Sequence, residues 1–245
     1  MNWSAKYYRE NLYPFQDGVL NIVKKSGTPF YLTGGTALSR GYFNHRYSDD
    51  LDLFVNQDDR YPDYVQTLLT QFEAAQASNV FSIDYNRLRK FKDFTQFFLV
   101  KTFEDKTIEL KIDVVNDVAS HYGGFAQDPV LGHIDSWQNI LSNKLSAVFR
   151  YEAKDIVDLW VIAKHQKFDW MTIVAEAKTK EGGIDPVVLF EILKSFPADA
   201  LSTIKWITSV NSETFITELH YIADDILRGN PNTLVAFPRK NSSFL

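Results

Sequence analysis

From Thr28 to about residue 116, strand-like runs alternate with turns and one helical pattern. Asp50 to Val55 (DLDLFV) is the clearest case, with Leu51, Leu53 and Val55 on one face and Asp50, Asp52 and Phe54 on the other. Thr28 to Thr33 (TPFYLT) is a shorter β-rich run ending at Gly34-Gly35, and Ala37 to Phe43 opens a helix after it. Over Asp59 to Ala75 the period changes, with Tyr64, Leu68, Leu69 and Phe72 at helical spacing. Two longer strands, Phe94 to Phe103 and Thr107 to Val115, flank Glu104-Asp105-Lys106 as a hairpin, and Phe81 to Leu88 adds a candidate edge strand. Strand, helix, strand, helix and then a meander predict an α+β fold, a mixed sheet packed by helices rather than a doubly wound parallel sheet.

The pattern changes again at His121 to Gly132 (HYGGFAQDPVLG), which reads as a linker or lid. Beyond it, Asp135 to Phe149, Ala153 to His165, Trp170 to Thr179, Pro186 to Ser195 and Phe215 to Leu227 carry helical periodicity. Asp185-Pro186 is a helix start, with Asp as N-cap and Pro at the first helical position. The expected division is a mixed α/β domain over residues 1–120 and a helical domain over 121–245, the last dozen residues being a tail.

Composition narrows the class. The 245 residues are 45% hydrophobic and 23% charged, enough to bury a core and far from disordered or fibrous chains. With no cysteine, a disulfide framework, a thiolate zinc site and a cysteine nucleophile are excluded, so any metal is held by oxygen or imidazole. The five histidines show no close ligand spacing and read as structural or surface residues. A polar N-terminus and the lack of a long apolar run predict a cytoplasmic protein without a membrane span. The net charge of −5 argues against wholesale coating of nucleic acid, though not against a local basic patch.

The chemistry concentrates in Tyr31 to Phe54 (YLTGGTALSRGYFNHRYSDDLDLF). A strand that ends in Gly34-Gly35-Thr36 and runs into a helix can bring backbone N–H groups close to a polyphosphate. Asp50 and Asp52 project together from the next strand, and two neighbouring carboxylates repel unless a cation joins them. Magnesium suits such a pair, because it takes one or two carboxylates together with phosphate oxygens. If Ile108 to Val115 (IELKIDVV) neighbours that strand, Asp113 completes a three-carboxylate cluster. Each part has a plainer reading: a turn, a solvated strand edge, and an Asp113 paired with Lys111.

Taken together, Gly-Gly-Thr-Ala-Leu, then Arg46-x-Ser48-x-Asp50-Leu-Asp52, then a strand aspartate, resemble the nucleotidyltransferase fold of the DNA polymerase β superfamily, and within it the AbiEii toxin family. Lys144, Arg150, Lys154-Asp155 and Asp158 resemble that family's helical motif, so the likeness spans roughly residues 28 to 165. The superfamily's usual Gly-Ser is Gly35-Thr36 here, and thirteen residues between Thr36 and Asp50 make a long loop.

The resemblance implies transfer of a nucleotide from a nucleoside triphosphate with release of pyrophosphate. Asp50, Asp52 and Asp113 would hold two Mg2+ ions, and Gly34, Gly35 and Thr36 the outer phosphates. Lys144 or Lys154 would neutralise charge on the phosphates, Asp155 would be a further catalytic residue of the helical motif, and Arg46 and Ser48 would bind nucleotide or brace the loop. An RNA end would be the acceptor, the tRNA 3′ end being one candidate, and a separate antitoxin protein the partner. Arg150, Lys154 and Asp158, spaced i, i+4 and i+8, also fit a charged helix stripe. The run Arg87 to Lys92 suits either RNA phosphates with Phe91 stacking on a base, or a solvated loop. Two other functions remain open: transfer to a small molecule or protein hydroxyl, and a catalytically silent partner-binding module.

Overall fold

The computed structural model describes residues 5–103 and 106–236, side chains at 103 and 236 excepted. Glu104 and Asp105 of the expected hairpin turn, and most of the expected tail, lie outside the described residues. The chain forms two compact units, residues 1–140 with 205–207, and residues 141–204 with 208–245.

In the first unit, α1 (Ala5–Tyr7) continues through a π-helical stretch into α2 (Tyr13–Lys25), and β1 (Tyr31–Thr33) follows. Helix α3 (Gly34–Thr36) widens into π-helical turns over Ala37–Phe43 and stops at Asn44, whose φ of 49° is left-handed. Then come β2 (Leu51–Asn56), α4 (Tyr61–Ala77), β3 (Ser82–Ile83), β4 (Arg89–Lys90), β5 (Phe94–Phe103), β6 (Lys106–Asp117), β7 (Ala126–Asp128) and β8 (Gly132–Ile134). One mixed sheet joins them in the order β3-β5-β6-β2-β1-β8-β7, with β4 on β5 beside β3. β2 runs parallel to β6 and antiparallel to β1, and β5 and β6 form the expected hairpin.

The period-two reading of β2 and β6 holds. Leu51, Leu53, Ile108, Leu110, Ile112 and Val114 are buried on the core face, under α2 and α4. Phe72 of α4 meets Phe97 of β5 edge to face at 5.3 Å, and Phe15 of α2 meets Phe81 at 5.9 Å. Each large apolar side chain buried there contributes roughly 1.5–3 kcal/mol. The other face, carrying Asp50, Asp52, Lys111 and Asp113, is only half-buried.

The stretch read as a linker is structured. Asp128 Oδ1 accepts from the backbone N–H groups of Val130 and Leu131, each at 2.7 Å, and this turn closes the β7–β8 hairpin. β8 pairs in parallel with β1 at Leu32 and Ile134, so the first unit reaches Ile140 rather than ending at residue 120. Asx-turn and glycine chemistry gives these residues a loop's composition, while only three of them form each strand.

The second unit holds the rest of α5 (Trp137–Ala147), then α6 (Ala153–His165), α7 (Trp170–Lys180), α8 (Pro186–Lys194) and α9 (Ser212–Arg228). Trp170, Leu189, Leu193, Phe215, Leu219 and Ile222 form its core. Asp185 caps α8 as expected, accepting from Val187 N–H at 2.8 Å. Among the described residues, no helix is long and apolar enough to cross a membrane.

Candidate active site

Gly34 follows β1 directly and adopts φ +68°, and a Cβ there would run into the Asp52 carboxylate. Glycine is therefore required twice over, for its conformation and for the close approach of backbone to carboxylate. A Cβ on Gly35 would meet the Arg46 guanidinium, with Ser48 Oγ 3.1 Å away, so these two side chains lie against the turn. Arg46 and Ser48 are buried, and Arg46 donates to the Tyr47 carbonyl at 3.2 Å. Thr36 is fully buried, and its hydroxyl donates to the Asp50 carbonyl at 2.5 Å. That hydroxyl is committed to the Asp50 backbone.

The long loop between the turn and the carboxylates is pinned at several points. Ser39 Oγ donates to the Arg46 carbonyl, and Gln16 Nε2 to the Ser48 carbonyl at 3.2 Å. Residues 205–207 lie against it in antiparallel fashion, with Tyr47 N–H on the Lys205 carbonyl at 2.7 Å and Ile207 N–H on that of His45 at 3.1 Å. Asp49 accepts from Tyr8 Oη at 2.8 Å and from the Lys205 ammonium. Burial, then the bond to Asp49, pushes the Tyr8 phenol well above its ordinary pKa.

The strand register assembles the carboxylates. Asp52 is paired with Thr33 on β1 and with Asp113 on β6. One step beyond the Leu51–Ile112 pair, Asp50 comes level with Lys111. The Lys111 ammonium lies 2.8 Å from Asp113 Oδ2 and 3.3 Å from Asp50 Oδ2. Gln96, opposite Asp113 on β5, donates to its Oδ1 at 2.7 Å. Burial alone works to lower the Lys111 pKa, but the bond to Asp113 and the charges of Asp50, Asp113 and Asp52 outweigh it, and the net shift is upward.

Among the described residues, no group of three or more acidic or imidazole side chains is gathered as a metal cage. Lys111 stands between two of the three expected carboxylates and supplies the compensating charge itself. The residues still fit magnesium, which keeps much of its shell for water and phosphate oxygens and needs one or two carboxylates from protein. Asp52 and Asp113 offer them from adjacent register positions on an open face.

In the second unit, Lys144 donates to Asp155 Oδ1 at 2.6 Å and lies 2.8 Å from Asp158 Oδ2. Lys154 and Arg150 are exposed. The helix stops between them, because Tyr151 is left-handed at φ 55°, so Arg150, Lys154 and Asp158 do not form a stripe on one helix.

Residues 22–212 match the family described as nucleotidyl transferase AbiEii toxin of type IV toxin–antitoxin systems. The chain belongs to the AbiEii nucleotidyltransferase family. Two crystal structures share the fold. One, from H. pylori and provisionally assigned as a nucleotidyltransferase, is 21% identical with a TM-score of 0.62, over 89% of this chain and 96% of that one. The other, JHP933 from Helicobacter pylori, is 19% identical with a TM-score of 0.61, over 89% and 91%. No curated protein sequence matches the chain.

This AbiEii chain carries a further buried group beside the motif. Asp135, fully buried after β8, accepts from Thr33 Oγ1 at 2.5 Å and Asn139 Nδ2 at 2.9 Å, and meets His121 Nε2 at 2.8 Å. It continues the row of Asp113, Asp52 and Thr33 by one strand. In the sequence it shows only as a helix start, and no spacing signals its pairing with a histidine fourteen residues earlier.

Proposed function

We propose that this AbiEii nucleotidyltransferase moves a nucleoside monophosphate from a triphosphate to the 3′ end of an RNA, with tRNA as the first acceptor to test. The observation that carries the reading is the in-register pair Asp52 and Asp113, with Gly34 closing on Asp52. The family supports the transferase chemistry, and its type IV description supports a separate antitoxin protein. Triphosphate and RNA substrates suit a protein that works in the cytoplasm.

The Gly34-Gly35-Thr36 turn would take the β- and γ-phosphates through backbone N–H groups, with Arg46 and Ser48 bracing it from beneath. Asp50, Asp52 and Asp113 would hold magnesium, which when bound neutralises phosphate charge and makes the attacking hydroxyl more acidic. The acceptor oxygen bonds to the α-phosphorus, the bond from that phosphorus to the α–β bridging oxygen breaks, and pyrophosphate leaves in line. Asp113 accepts the hydroxyl proton, and Gln96 fixes the orientation of its carboxylate. Thr36 keeps the backbone at Asp50 in place. Lys144 joins α5 to α6 through Asp155 and Asp158.

The test is transfer of label from each α-labelled nucleoside triphosphate in turn to a total tRNA pool. Wild type should label the pool with at least one nucleotide and Asp50→Ala with none. Equal labelling by both proteins would sink the reading.

A further inference from the structure

The loop around Phe91 lies on the flank of the carboxylates opposite the phosphate turn. Across the open sheet face, register aligns Thr33 of β1, Asp52 of β2, Asp113 of β6, Gln96 of β5 and Arg89 of β4 in one row. Gly34 to Thr36 follow Thr33 at one end, and Arg89 stands at the other. In-line displacement places the attacking hydroxyl opposite the leaving group. With pyrophosphate at the glycine turn, the acceptor reaches the α-phosphate from the β5–β4 side. Two strand spacings, roughly 10 Å, separate Asp113 from Arg89.

The chemistry of that flank suits a single-stranded polynucleotide. Arg89, Lys90, Phe91 and Lys92 are all exposed, and Phe91 is 64% exposed. The Phe91 ring stacks on Phe94 at 6.2 Å and 21°, and its N–H donates to the Phe94 carbonyl at 2.8 Å, so this aromatic is held in place. Phe94 lies two residues before Gln96 and therefore shares the face of Asp113. Arg87 plays a separate part, pairing with Glu109 while its guanidinium lies 3.5 Å above the Phe98 ring and braces the base of the loop.

We propose that β4 and its turn form the acceptor platform, with Phe91 stacking a base of the single-stranded 3′ end and Arg89 and Lys92 taking its phosphates. This rests on the RNA-acceptor reading above. Exposed aromatics beside cations bind single strands through sequence-tolerant stacking and charge. The strand arrives from the hydroxyl-activating side, where a phosphate-only patch elsewhere would not place its 3′ end.

The experiment measures tRNA binding by fluorescence anisotropy against salt, and KM for tRNA and for nucleotide separately, in wild type, Phe91→Ala, Phe91→Trp and Arg89→Ala. Phe91→Ala should weaken tRNA binding about 5- to 150-fold, the range that follows from stacking of one base. Phe91→Trp should restore it, and Arg89→Ala should reduce the salt slope by about one. Nucleotide KM and melting temperature should stay at the wild-type values. If wild type labels tRNA while Phe91→Ala and Arg89→Ala bind it within about twofold of wild type, well short of the loss of one stacked base, the platform is wrong and the acceptor reading stands. If wild type neither binds nor labels any RNA, both fall. Phe91-dependent binding of a protein partner, with RNA binding unchanged, also overturns the platform.

Discussion

Lys144→Met should separate a structural from a chemical role for the largely covered lysine of the helical unit. The ammonium serves two carboxylates at 2.6 and 2.8 Å, and side-chain exposures of 11% for Lys144, 7% for Asp155 and 0% for Asp158 leave little room for water. Methionine keeps the length of the chain but removes the cation that both carboxylates face. Removing one partner of a buried ion pair costs about 3–5 kcal/mol. For a chain of this size, each kcal/mol moves the melting temperature by roughly 2–4 °C, so a fall of about 6–20 °C is expected. The assay is thermal and urea denaturation of wild type, Lys144→Met, and Lys144→Met combined with Asp155→Asn and Asp158→Asn. The combined variant should recover most of the loss, because the two carboxylate charges that faced the ammonium are gone. A Lys144→Met protein melting within about 2 °C of wild type would rule out the structural role.

Two further substitutions probe the sheet. Near a surface a unit charge about 4 Å from a carboxylate is worth up to about 4 kcal/mol, and screening at a site this open leaves about a third of that. Lys111→Met should therefore tighten Mn2+ binding to the nucleotide-free protein about tenfold by titration calorimetry, whereas unchanged or weaker binding would mean that Lys111 does not compete for the cation position. Gly34→Ala places a side chain in the left-handed region and against Asp52; it should cost about 1–2 kcal/mol in denaturation and suppress turnover. Wild-type turnover in that variant would show that the close approach is dispensable.

The parts of the fold set by local periodicity are legible in the sequence. The alternation in Asp50 to Val55 and Ile108 to Val115 puts the acidic residues on one face, and the register then makes Asp52 and Asp113 neighbours. The cap at Asp185 is equally local. What stays hidden depends on contacts between distant residues. Thr36 turning inward to Asp50, the placement of residues 205–207 along the long loop, and Asp135 with His121 follow from tertiary pairing that no spacing announces. Strands of three residues such as β7 and β8 are too short to show a period, so glycine and aspartate gave that stretch the look of a linker. Lys111 is intermediate: its pairing with Asp113 is legible two residues away on a strand, and its contact with Asp50 needs the neighbouring strand.

Nucleotidyl transfer on the face of Asp50, Asp52 and Asp113 is tested by single-turnover release of pyrophosphate, measured together with retention of the α-phosphate label on the acceptor. The comparison is between wild type and Asp52→Asn with magnesium present. Wild type should give one pyrophosphate for each label transferred, and Asp52→Asn neither product above background. Equal yields from the two proteins would mean that this face does not carry out the transfer.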